Sequence, residues 1–257
     1  MLDAEICLGV IPARLRSTRF PNKITALIHG KPMIQHVWES AMRAHQLDEV
    51  VIATEDESVF RLARGFGAEA VLTPSDFVSG SDRVAYVARQ RPDARWVVNL
   101  QGDEPMLPAG AVDSLVTALK NDGVGMSTLA VLRESESQLR DPNVVKVLVS
   151  AQGEALYFSR HPLASNAGGR FLKHIGIYGF ERETLLDLSS REPSDLEKLE
   201  KLEQLRALEA GIKIKVIQIA EDTVAVDTPE DLMKVESLMT GEFVSSPVNE
   251  ALDVEKI

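Results

Sequence analysis

The chain has 257 residues, of which 44% are apolar and 5% aromatic, and its formal net charge is −11. This length is enough for one α/β domain with a full core. The acidic balance argues against a general nucleic-acid binder and against docking on anionic membranes. No apolar run approaches the ~20 residues that a membrane span needs. Because Cys7 is the only cysteine, no internal disulfide can form, and the sequence predicts a reducing, cytoplasmic location.

The first strong feature is an apolar run at residues 6–11 that leads into a cationic loop. Pro12 ends the predicted strand, because proline has no N–H to give to a sheet. The loop has no acidic residue and four cations, Arg14, Arg16, Arg19 and Lys23. In α/β proteins the loop after the first strand is a common phosphate site. Neither GxxxxGK[ST] nor GxGxxG is present, so we predict that side-chain cations hold the phosphates. A solvated basic loop is the alternative.

Alternating helix and strand patterns follow this loop. Residues 31–44 show a helical apolar period, with Pro32 in the first turn. Residues 48–54 and 68–73 predict short buried strands, and residues 56–65 between them predict a helix. A repeated β-α-β-α order implies a doubly wound, mostly parallel sheet with helices on both faces. Such a sheet presents its functional residues at the C-terminal ends of its strands.

Two polar clusters stand where functional residues are expected. The first precedes a predicted helix and consists of Ser79, Gly80, Ser81 and Asp82. Residues of these types often cap helices. Without further information, a helix cap is therefore a better interpretation of this cluster than a ligand site.

The second cluster follows the strand predicted at 96–100 and consists of Gln101, Gly102, Asp103 and Glu104. Carboxylate oxygens at a strand end suit Mg²⁺, which takes one or two carboxylates together with substrate phosphates. A turn built on Gly102 and Pro105 is the alternative. We assign Glu104 to the cap of a helix at 109–120.

From residue 125 the pattern changes to consecutive strands without long helices between them. Residues 144–159 predict a hairpin closed by a glycine-containing loop. We therefore expect a small antiparallel insert at about 125–180, laid on the sheet of a single domain that covers residues 1–240. Residues 241–257 show no period and predict a loose tail.

The C-terminal third predicts two helices around a strand at 212–220. Residues 193–211 read as one amphipathic helix that begins with a capping box at Ser194 and has leucine at every third position. A second helix follows Asp227, with Thr228 as its cap. Taken alone, Asp227 reads as an acid at a helix start rather than as a metal ligand.

Several of these segments resemble one family. The matching segments are IPARLRSTRFPNK (11–23), SGSDR (79–83), NLQGDEP (99–105), HIGIYGF (174–180), LEQLRALE (202–209) and VDTPEDL (226–232). They are similar to the motifs of the sugar-acid cytidylyltransferases, in particular those that act on 3-deoxy-manno-octulosonate (Kdo). Asn22 stands where that family has glycine. We expect Asn22 to keep the positive φ of the turn, because asparagine tolerates the left-handed region.

The resemblance implies a Rossmann-like sheet of the nucleotide-diphospho-sugar transferase type and a homodimer formed through the antiparallel insert. It implies a nucleotidyltransferase that uses Mg²⁺ and moves CMP from CTP to the anomeric hydroxyl of Kdo. The products would be pyrophosphate and CMP-Kdo, a precursor of lipopolysaccharide. The choice of CTP rests on the resemblance alone.

The resemblance also implies roles for individual residues. The nucleotide would contact Pro12, Ala13, Arg14, Arg19, Lys23, Ser79, Gly80, Ser81 and Arg83. The acidic sugar would contact Gln101, Arg160, His174, Tyr178, Glu203 and Gln204. Asp103 and Asp227 would hold the metal, and the catalytic set would be these two residues with Lys23 and Arg14. No general base is assigned.

Two other functions stay open at this stage. One is a cytidylyltransferase for another sugar acid, such as 8-amino-Kdo or a sialic acid. Phe77, Asn22 and the short connection at 162–173 leave room for it, since each departs from the family pattern. The other is a catalytically silent nucleotide-binding regulator. The two carboxylates and the basic loop count against it, because binding alone has little use for both.

Overall fold

The computed structural model describes residues 5–15, 17, 19–77, 79–163 and 169–240. Within them the strands are β1 (Ile6–Ala13), β2 (Leu27–Ile28), β3 (Lys31–Pro32), β4 (Glu49–Thr54), β5 (Glu69–Leu72), β6 (Ala94–Asn99), β7 (Met126–Glu134), β8 (Lys146–Val149), β9 (Ala155–Ser159), β10 (Arg170–Glu181) and β11 (Ile214–Ile219). The helices are α1 (Met33–Ala41), α2 (Glu57–Gly65), α3 (Gly80–Arg89), α4 (Ala109–Asp122), α5 (Glu136–Arg140), α6 (Arg182–Ser190), α7 (Asp195–Glu200), α8 (Gln204–Glu209) and α9 (Pro229–Thr240).

The main sheet has the order β11-β7-β10-β6-β1-β4-β5. The pairs β5–β4, β4–β1, β1–β6 and β7–β11 are parallel, whereas β10 runs antiparallel to both of its neighbours, β6 and β7. The predicted α/β class, mostly parallel and doubly wound, is confirmed. The chain first places β4 and β5 on one side of β1 and then crosses to form β6 on the other side. The strand order therefore reverses at β1. Ligands of open α/β sheets bind at that point.

The first strand shows why an apolar run forms the centre of this sheet. Cys7 and Ile11 point into the buried cluster on one face, while Leu8 and Val10 point into the cluster on the other. All four are fully buried. A strand covered by helices on both faces needs apolar side chains at successive positions rather than at alternate ones.

The antiparallel part of the fold is continuous with the main sheet and is not a separate layer laid on it. The long strand β10 joins the two regions, because its end at Tyr178–Glu181 pairs with β6 while its earlier residues pair with β7 and β8. The predicted hairpin is confirmed as the antiparallel pair β8–β9. The predicted domain boundaries stay a prediction, and the tail at 241–257 lies outside the described residues.

The prediction of one helix over residues 193–211 is wrong. Ser194 and Glu197 form the expected capping box, but α7 ends at Glu200, and Lys201 adopts a left-handed conformation before α8 begins. A three-residue leucine repeat drifts about 60° per step around a helix of 3.6 residues per turn, so five leucines cannot share one face. The break lets Leu202 and Leu205 both be buried, while Leu199 stays 77% exposed. Sequence reasoning also missed α6.

Within the described ranges, no helix combines the length and the apolar character that crossing a membrane requires.

The buried histidine of β10 has an unusual environment. His174 Nε2 lies 2.9 Å from the hydroxyl oxygen of Thr128 on β7, and the ring packs edge-on against Phe158 at 4.9 Å. Burial lowers the pKa of His174 from its ordinary 6.5 to about 3. The imidazole is therefore neutral in the folded protein at every pH where the protein is ordinarily handled.

This burial predicts a pH dependence of stability. Between pH 3 and 6.5 the unfolded chain binds a proton at residue 174 that the folded chain does not, so the free energy of unfolding falls as pH falls. The expected contribution is about 2 kcal/mol between pH 7 and pH 5. Urea unfolding at both pH values should show a smaller loss of stability for His174→Gln than for the wild type.

The matched control is His161→Gln, because His161 is exposed and, among the described residues, its side chain has no ion-pair partner. His161→Gln should keep the wild-type dependence of stability on pH. If both variants lose the same stability between pH 7 and pH 5, the pH dependence does not come from His174.

Candidate active site

The basic loop after β1 is shaped by one left-handed residue. Asn22 has φ 59° and ψ 21°, and its N–H donates to the carbonyl of Leu15 at 3.1 Å. The expected positive φ of Asn22 is confirmed. This turn closes the loop and directs Lys23, the next residue, back toward the C-terminal edge of the sheet.

Lys23 lies between two carboxylates. Its Nζ donates to Asp103 Oδ2 at 2.6 Å, to Asp227 Oδ1 at 3.0 Å and to the carbonyl of Val226 at 3.0 Å. The side chain of Lys23 is only 13% exposed. Burial alone would lower the pKa of Lys23, but Asp103 and then Asp227 outweigh it and raise the pKa. Lys23 is therefore a fixed positive charge.

Close backbone contacts bring the two carboxylates together. Asp103 follows β6. Its neighbour Gly102 packs so closely on the first strand that a Cβ at residue 102 would lie 3.1 Å from the carbonyl oxygen of Pro12. The N–H of Val226 donates to the carbonyl of Asp103 at 2.9 Å. The N–H of Asp227 donates to Asp231 at the start of α9. The end of β6 and the start of α9 thus meet beside the basic loop.

Two further cations of the loop stand at the surface of the same site. Arg19 forms an ion pair with Asp227 at 3.0 Å and is 62% exposed. Arg14 is exposed and, among the described residues, pairs with no carboxylate. Arg16 lies outside the described residues. The loop therefore offers cations that an anionic ligand can reach.

A large cavity opens over this loop; we call it the loop cavity. Its volume is about 790 Å³, within the range of small-molecule sites, roughly 300–1,000 Å³. The residues lining it include eleven site residues predicted from the sequence: Pro12, Ala13, Arg14, Arg19, Lys23, Ser79, Gly80, Arg83, Gln101, Asp103 and Asp227. Of the predicted nucleotide residues, Ser81 alone does not line the loop cavity.

The start of α3 forms the opposite wall of the loop cavity. Ser79 and Asp82 make a capping box, so the capping interpretation is correct. Arg83 is 3% exposed and pairs with Glu55 and Thr73. Burial lowers its pKa. Because its guanidinium already has partners, Arg83 shapes the wall of this cavity. Phe77, to which the sequence assigned no role, also lines it.

A second cavity, which we call the inner cavity, adjoins the first at Asp227. It measures about 540 Å³, and the residues lining it include His174, Tyr178 and Gln204 from the predicted sugar set. Tyr178 and Gln204 also line a small side cavity of about 50 Å³, together with Ser81 and Glu203. There the hydroxyl of Ser81 donates to Glu203 at 2.8 Å.

Two predicted sugar residues are directed at backbone groups. Gln101 lines the loop cavity and donates from Nε2 to the carbonyl of Gly176 at 3.0 Å. The guanidinium of Arg160 donates to the carbonyls of Glu200, Pro142 and Lys201 and lines none of the three cavities. Arg160 thus fastens the end of α7 to its neighbours. A contact between either side chain and a sugar stays a prediction.

The prediction that Glu104 caps the next helix is wrong. α4 begins after Pro108 without a side-chain cap, and Glu104 is instead 7% exposed. Its carboxyl group accepts a hydrogen bond from Thr223, and its pKa is raised to about 7, first by burial and then by the charge of Asp103. Pro105 and Met106 form a turn that the N–H of Leu107 closes by donating to the carbonyl of Glu104, and Glu104 lines the inner cavity instead of reaching the helix.

Sequence reasoning also missed an ion cluster beside Glu104. Asp222 pairs with Arg133 on β7 and with Lys173 on β10. All three residues line the inner cavity. Each comes from a different segment, and only the antiparallel pairing of β7 and β10 makes them neighbours. No local pattern in the sequence signals such a cluster.

The two carboxylates fit a divalent cation. Asp103 and Asp227 already share one buried cation, the ammonium of Lys23. Hard carboxylate oxygens are the ligands that Mg²⁺ prefers, usually one or two together with phosphate oxygens and waters. In the described part of the chain no group of three or more His, Cys, Asp or Glu residues is able to hold a metal. Phosphate and water would therefore complete the coordination.

Comparison with known proteins agrees with this geometry. The family model described as "Cytidylyltransferase" matches residues 8–214. A 3-deoxy-manno-octulosonate cytidylyltransferase of Solibacter usitatus is 44% identical over 247 residues, which is 94% of this chain and 98% of the relative. One from Myxococcus xanthus is 45% identical over 236 residues, covering 90% and 96% of the two chains.

Solved structures give the same result. CMP:2-keto-3-deoxy-manno-octonic acid synthetase complexed with CTP is similar with a TM-score of 0.87 and 39% identity, covering 93% of this chain and all of the other. A 4-diphosphocytidyl-2C-methyl-D-erythritol synthase from Anaerococcus prevotii has a TM-score of 0.62 at 10% identity and shares the fold. Because the family model matches most of its length, the chain belongs to the cytidylyltransferase family. Within that family it belongs with the cytidylyltransferases for 3-deoxy-manno-octulosonate.

Proposed function

We propose that the protein transfers CMP from CTP to the anomeric hydroxyl of Kdo and releases pyrophosphate. The product, CMP-Kdo, would serve lipopolysaccharide synthesis in the cytoplasm. The observation that carries the proposal is the cluster of Lys23 with Asp103 and Asp227, which lines a cavity with reachable cations and, through Asp227, also borders a second cavity. The relatives named for this reaction, and the CTP that the similar synthetase binds, support it.

The loop cavity is the proposed site of CTP. Arg14, Arg19 and Lys23 supply positive charge for the triphosphate, and the wall formed by Ser79 and Phe77 faces them. A partly enclosed site of this kind strengthens each charge interaction relative to bulk water. Arg14 is open to the ligand, whereas Lys23 and Arg19 have to exchange their carboxylates for phosphate oxygens.

The inner cavity is the proposed site of the sugar acid. Because it meets the loop cavity at Asp227, a hydroxyl group of its ligand reaches the α-phosphate at that boundary. The hydroxyl oxygen forms a bond to the α-phosphorus while the bond to the bridging oxygen breaks, and pyrophosphate leaves. Alignment and charge neutralisation suffice for such a direct displacement. No general base is assigned.

Asp103 and Asp227 are the proposed ligands of Mg²⁺. When bound, the ion would neutralise phosphate charge and polarise the α-phosphate. Lys23 would then exchange the carboxylates that it holds at 2.6 and 3.0 Å for phosphate oxygens. Asp103 and Asp227 raise the pKa of Lys23 while it holds them, and the phosphate oxygens would supply negative charge in their place. In this scheme the lysine stabilises the carboxylates before CTP binds and the phosphates afterwards.

The alternative functions are less well supported. The relatives at about 44% identity are named for Kdo and not for a sialic acid. A silent regulator has no need for two carboxylates that must be compensated by a buried lysine.

Pyrophosphate release tests the proposed function directly. With Mg²⁺ and Kdo we expect turnover with CTP and at least about 100-fold lower kcat/KM with ATP or UTP. With CTP we expect Kdo to exceed a sialic acid by a similar factor. Comparable kcat/KM with another nucleotide would refute the choice of CTP, and faster turnover with the sialic acid would refute the choice of acceptor.

The shared metal site predicts non-additive losses. Asp103→Asn and Asp227→Asn should each lower kcat by about 100-fold or more, because each disables the same ion. The double variant should lose little more than either single variant. Steady-state kinetics over a range of Mg²⁺ concentrations, with an excess of chelator as a further condition, provide the measurement.

The matched control is Asp122→Asn. Asp122 also pairs with a lysine, and its side chain has the same exposed fraction as that of Asp227, 38%. This variant should keep wild-type kinetics. Activity that persists in chelator, or a double variant whose defect equals the product of the single defects, would argue against one shared ion.

We also propose a homodimer formed through the antiparallel strands. Leu132 on β7, Leu148 on β8 and Leu156 on β9 are 45%, 39% and 60% exposed, and exposed apolar groups of this kind mark contact surfaces. Sedimentation equilibrium at micromolar concentration should give twice the chain mass of 28.2 kDa. A mass equal to that of one chain would contradict the proposal.

A further inference from the structure

The strand β10 contains a bulge where it passes β7. Between the pairs Ile175–Leu129 and Tyr178–Thr128, β10 advances three residues while β7 advances one. Two extra residues of β10 therefore leave the regular ladder at this point. Bulges re-aim the side chains next to them and are frequent beside functional sites. Ile175 and Tyr178, which flank the two extra residues, both line the inner cavity.

The bulge brings together two residues that the family resemblance assigns to the sugar. On a regular strand, residues four positions apart are separated by about 13 Å. The ring centroids of His174 and Tyr178 are only 5.6 Å apart. Both rings line the inner cavity. The shape of β10 at this point therefore decides which groups this wall of the cavity presents.

Thr128 on β7 holds the bulge through its side-chain hydroxyl group. Thr128 is fully buried, and its hydroxyl donates to the carbonyl of Ile177 at 2.8 Å, with the carbonyl of Ile175 at 3.2 Å. From the end of β6, the other neighbour of β10, Gln101 donates to the carbonyl of Gly176 at 3.0 Å. Because carbonyl oxygens only accept, the single hydrogen of the hydroxyl is directed at the bulge.

This direction fixes the tautomer of His174. Nε2 of His174 lies 2.9 Å from the same hydroxyl oxygen, whose hydrogen is already used, so the oxygen accepts and Nε2 donates. The opposite tautomer would set two lone pairs against each other. Since burial lowers the pKa of His174 to about 3, the ring is neutral and Nδ1 is an acceptor. In the described part of the chain, no protein donor binds Nδ1.

We infer that Thr128 is a positioning residue, whose hydroxyl holds His174 as the Nε2–H tautomer and pins the bulge of β10, so that the ring nitrogen left for a ligand is an acceptor. Thr128 lines none of the three cavities, so it acts through His174 and the bulge and not by touching a ligand. The inference rests on the proposed function, which assigns the acceptor sugar to the inner cavity. Sequence reasoning gave Thr128 no role.

Two variants separate the hydroxyl group from the shape of the side chain. Thr128→Val keeps the branched shape and removes the hydroxyl, whereas Thr128→Ser keeps the hydroxyl and removes the methyl group. The matched control is Ser127→Ala. Ser127 is the adjacent residue of β7 and is also fully buried, and its hydroxyl donates to a backbone carbonyl, that of Leu115 at 3.1 Å. Thermal unfolding checks that every variant is folded under the conditions of the assay.

The tautomer is read directly by ¹⁵N NMR of the imidazole groups in the full chain at pH 7. A protonated ring nitrogen and a bare one differ widely in ¹⁵N chemical shift, and His174→Gln identifies the signals of His174 by their loss. We expect Nε2–H in the wild type, in Thr128→Ser and in Ser127→Ala. In Thr128→Val, which has no hydroxyl to accept from Nε2, we expect a mixture of the two tautomers.

Steady-state kinetics of pyrophosphate release measure the consequence for the acceptor. We expect KM for Kdo to rise about 10-fold or more in Thr128→Val, with KM for CTP within about twofold of the wild type. Thr128→Ser should recover most of the loss, and Ser127→Ala should keep wild-type kinetics. A merely structural role of the hydroxyl would affect both KM values or neither, and would leave the tautomer unchanged.

The outcomes separate this inference from the proposed function. A wild type in which His174 is protonated at Nδ1 overturns the inference, whatever the variants do. An unchanged tautomer in Thr128→Val overturns it too, as does a changed tautomer without a rise in KM for Kdo. If the wild type does not turn over CTP with Kdo, the proposed function fails, and the spectra of the wild type and Thr128→Val still decide the inference. If Thr128→Val does not fold, the spectra of the wild type and Thr128→Ser decide it.

Discussion

The sharing of one buried ammonium by two carboxylates is the interaction on which the site depends. Asp103 and Asp227 stand on segments far apart in the sequence, and without a cation between them they would repel each other by about 1 kcal/mol even in water. Lys23 removes that repulsion and also binds the carbonyl of Val226. The left-handed Asn22 and the small Gly102 allow the three segments to approach closely enough for this contact.

This arrangement keeps the charge of the site balanced at each stage of the proposed reaction. Asp103 and Asp227 raise the pKa of Lys23 against the effect of burial, so the ammonium stays charged while it holds them. Arg19 pairs with the other oxygen of Asp227 and is largely exposed. In the proposed reaction a triphosphate with a bound divalent ion would supply both an anion for Lys23 and a cation for the two carboxylates.

How far the sequence predicts this protein depends on whether a signal is local. The basic loop, the carboxylate after β6, the cap at Thr228 and the turn at Asn22 each follow from adjacent residues, and the structure has all four. The contact of Arg133 with Asp222 depends on the pairing of distant strands, and no spacing rule reveals it. The prediction of one helix over 193–211 was wrong because the three-residue leucine repeat does not fit a single helix face. The capping box at its start was predicted correctly.

The two cavities differ in how their charged groups are paired. In the loop cavity Lys23 and Arg19 are paired with carboxylates of the protein, so an anionic ligand has to exchange ions there. In the inner cavity Arg133 and Lys173 share the one carboxylate of Asp222, so this cluster keeps a net positive charge. In the proposed reaction, exchange of ion partners would hold the nucleotide in the loop cavity, and the positive cluster would favour an acidic acceptor in the inner cavity.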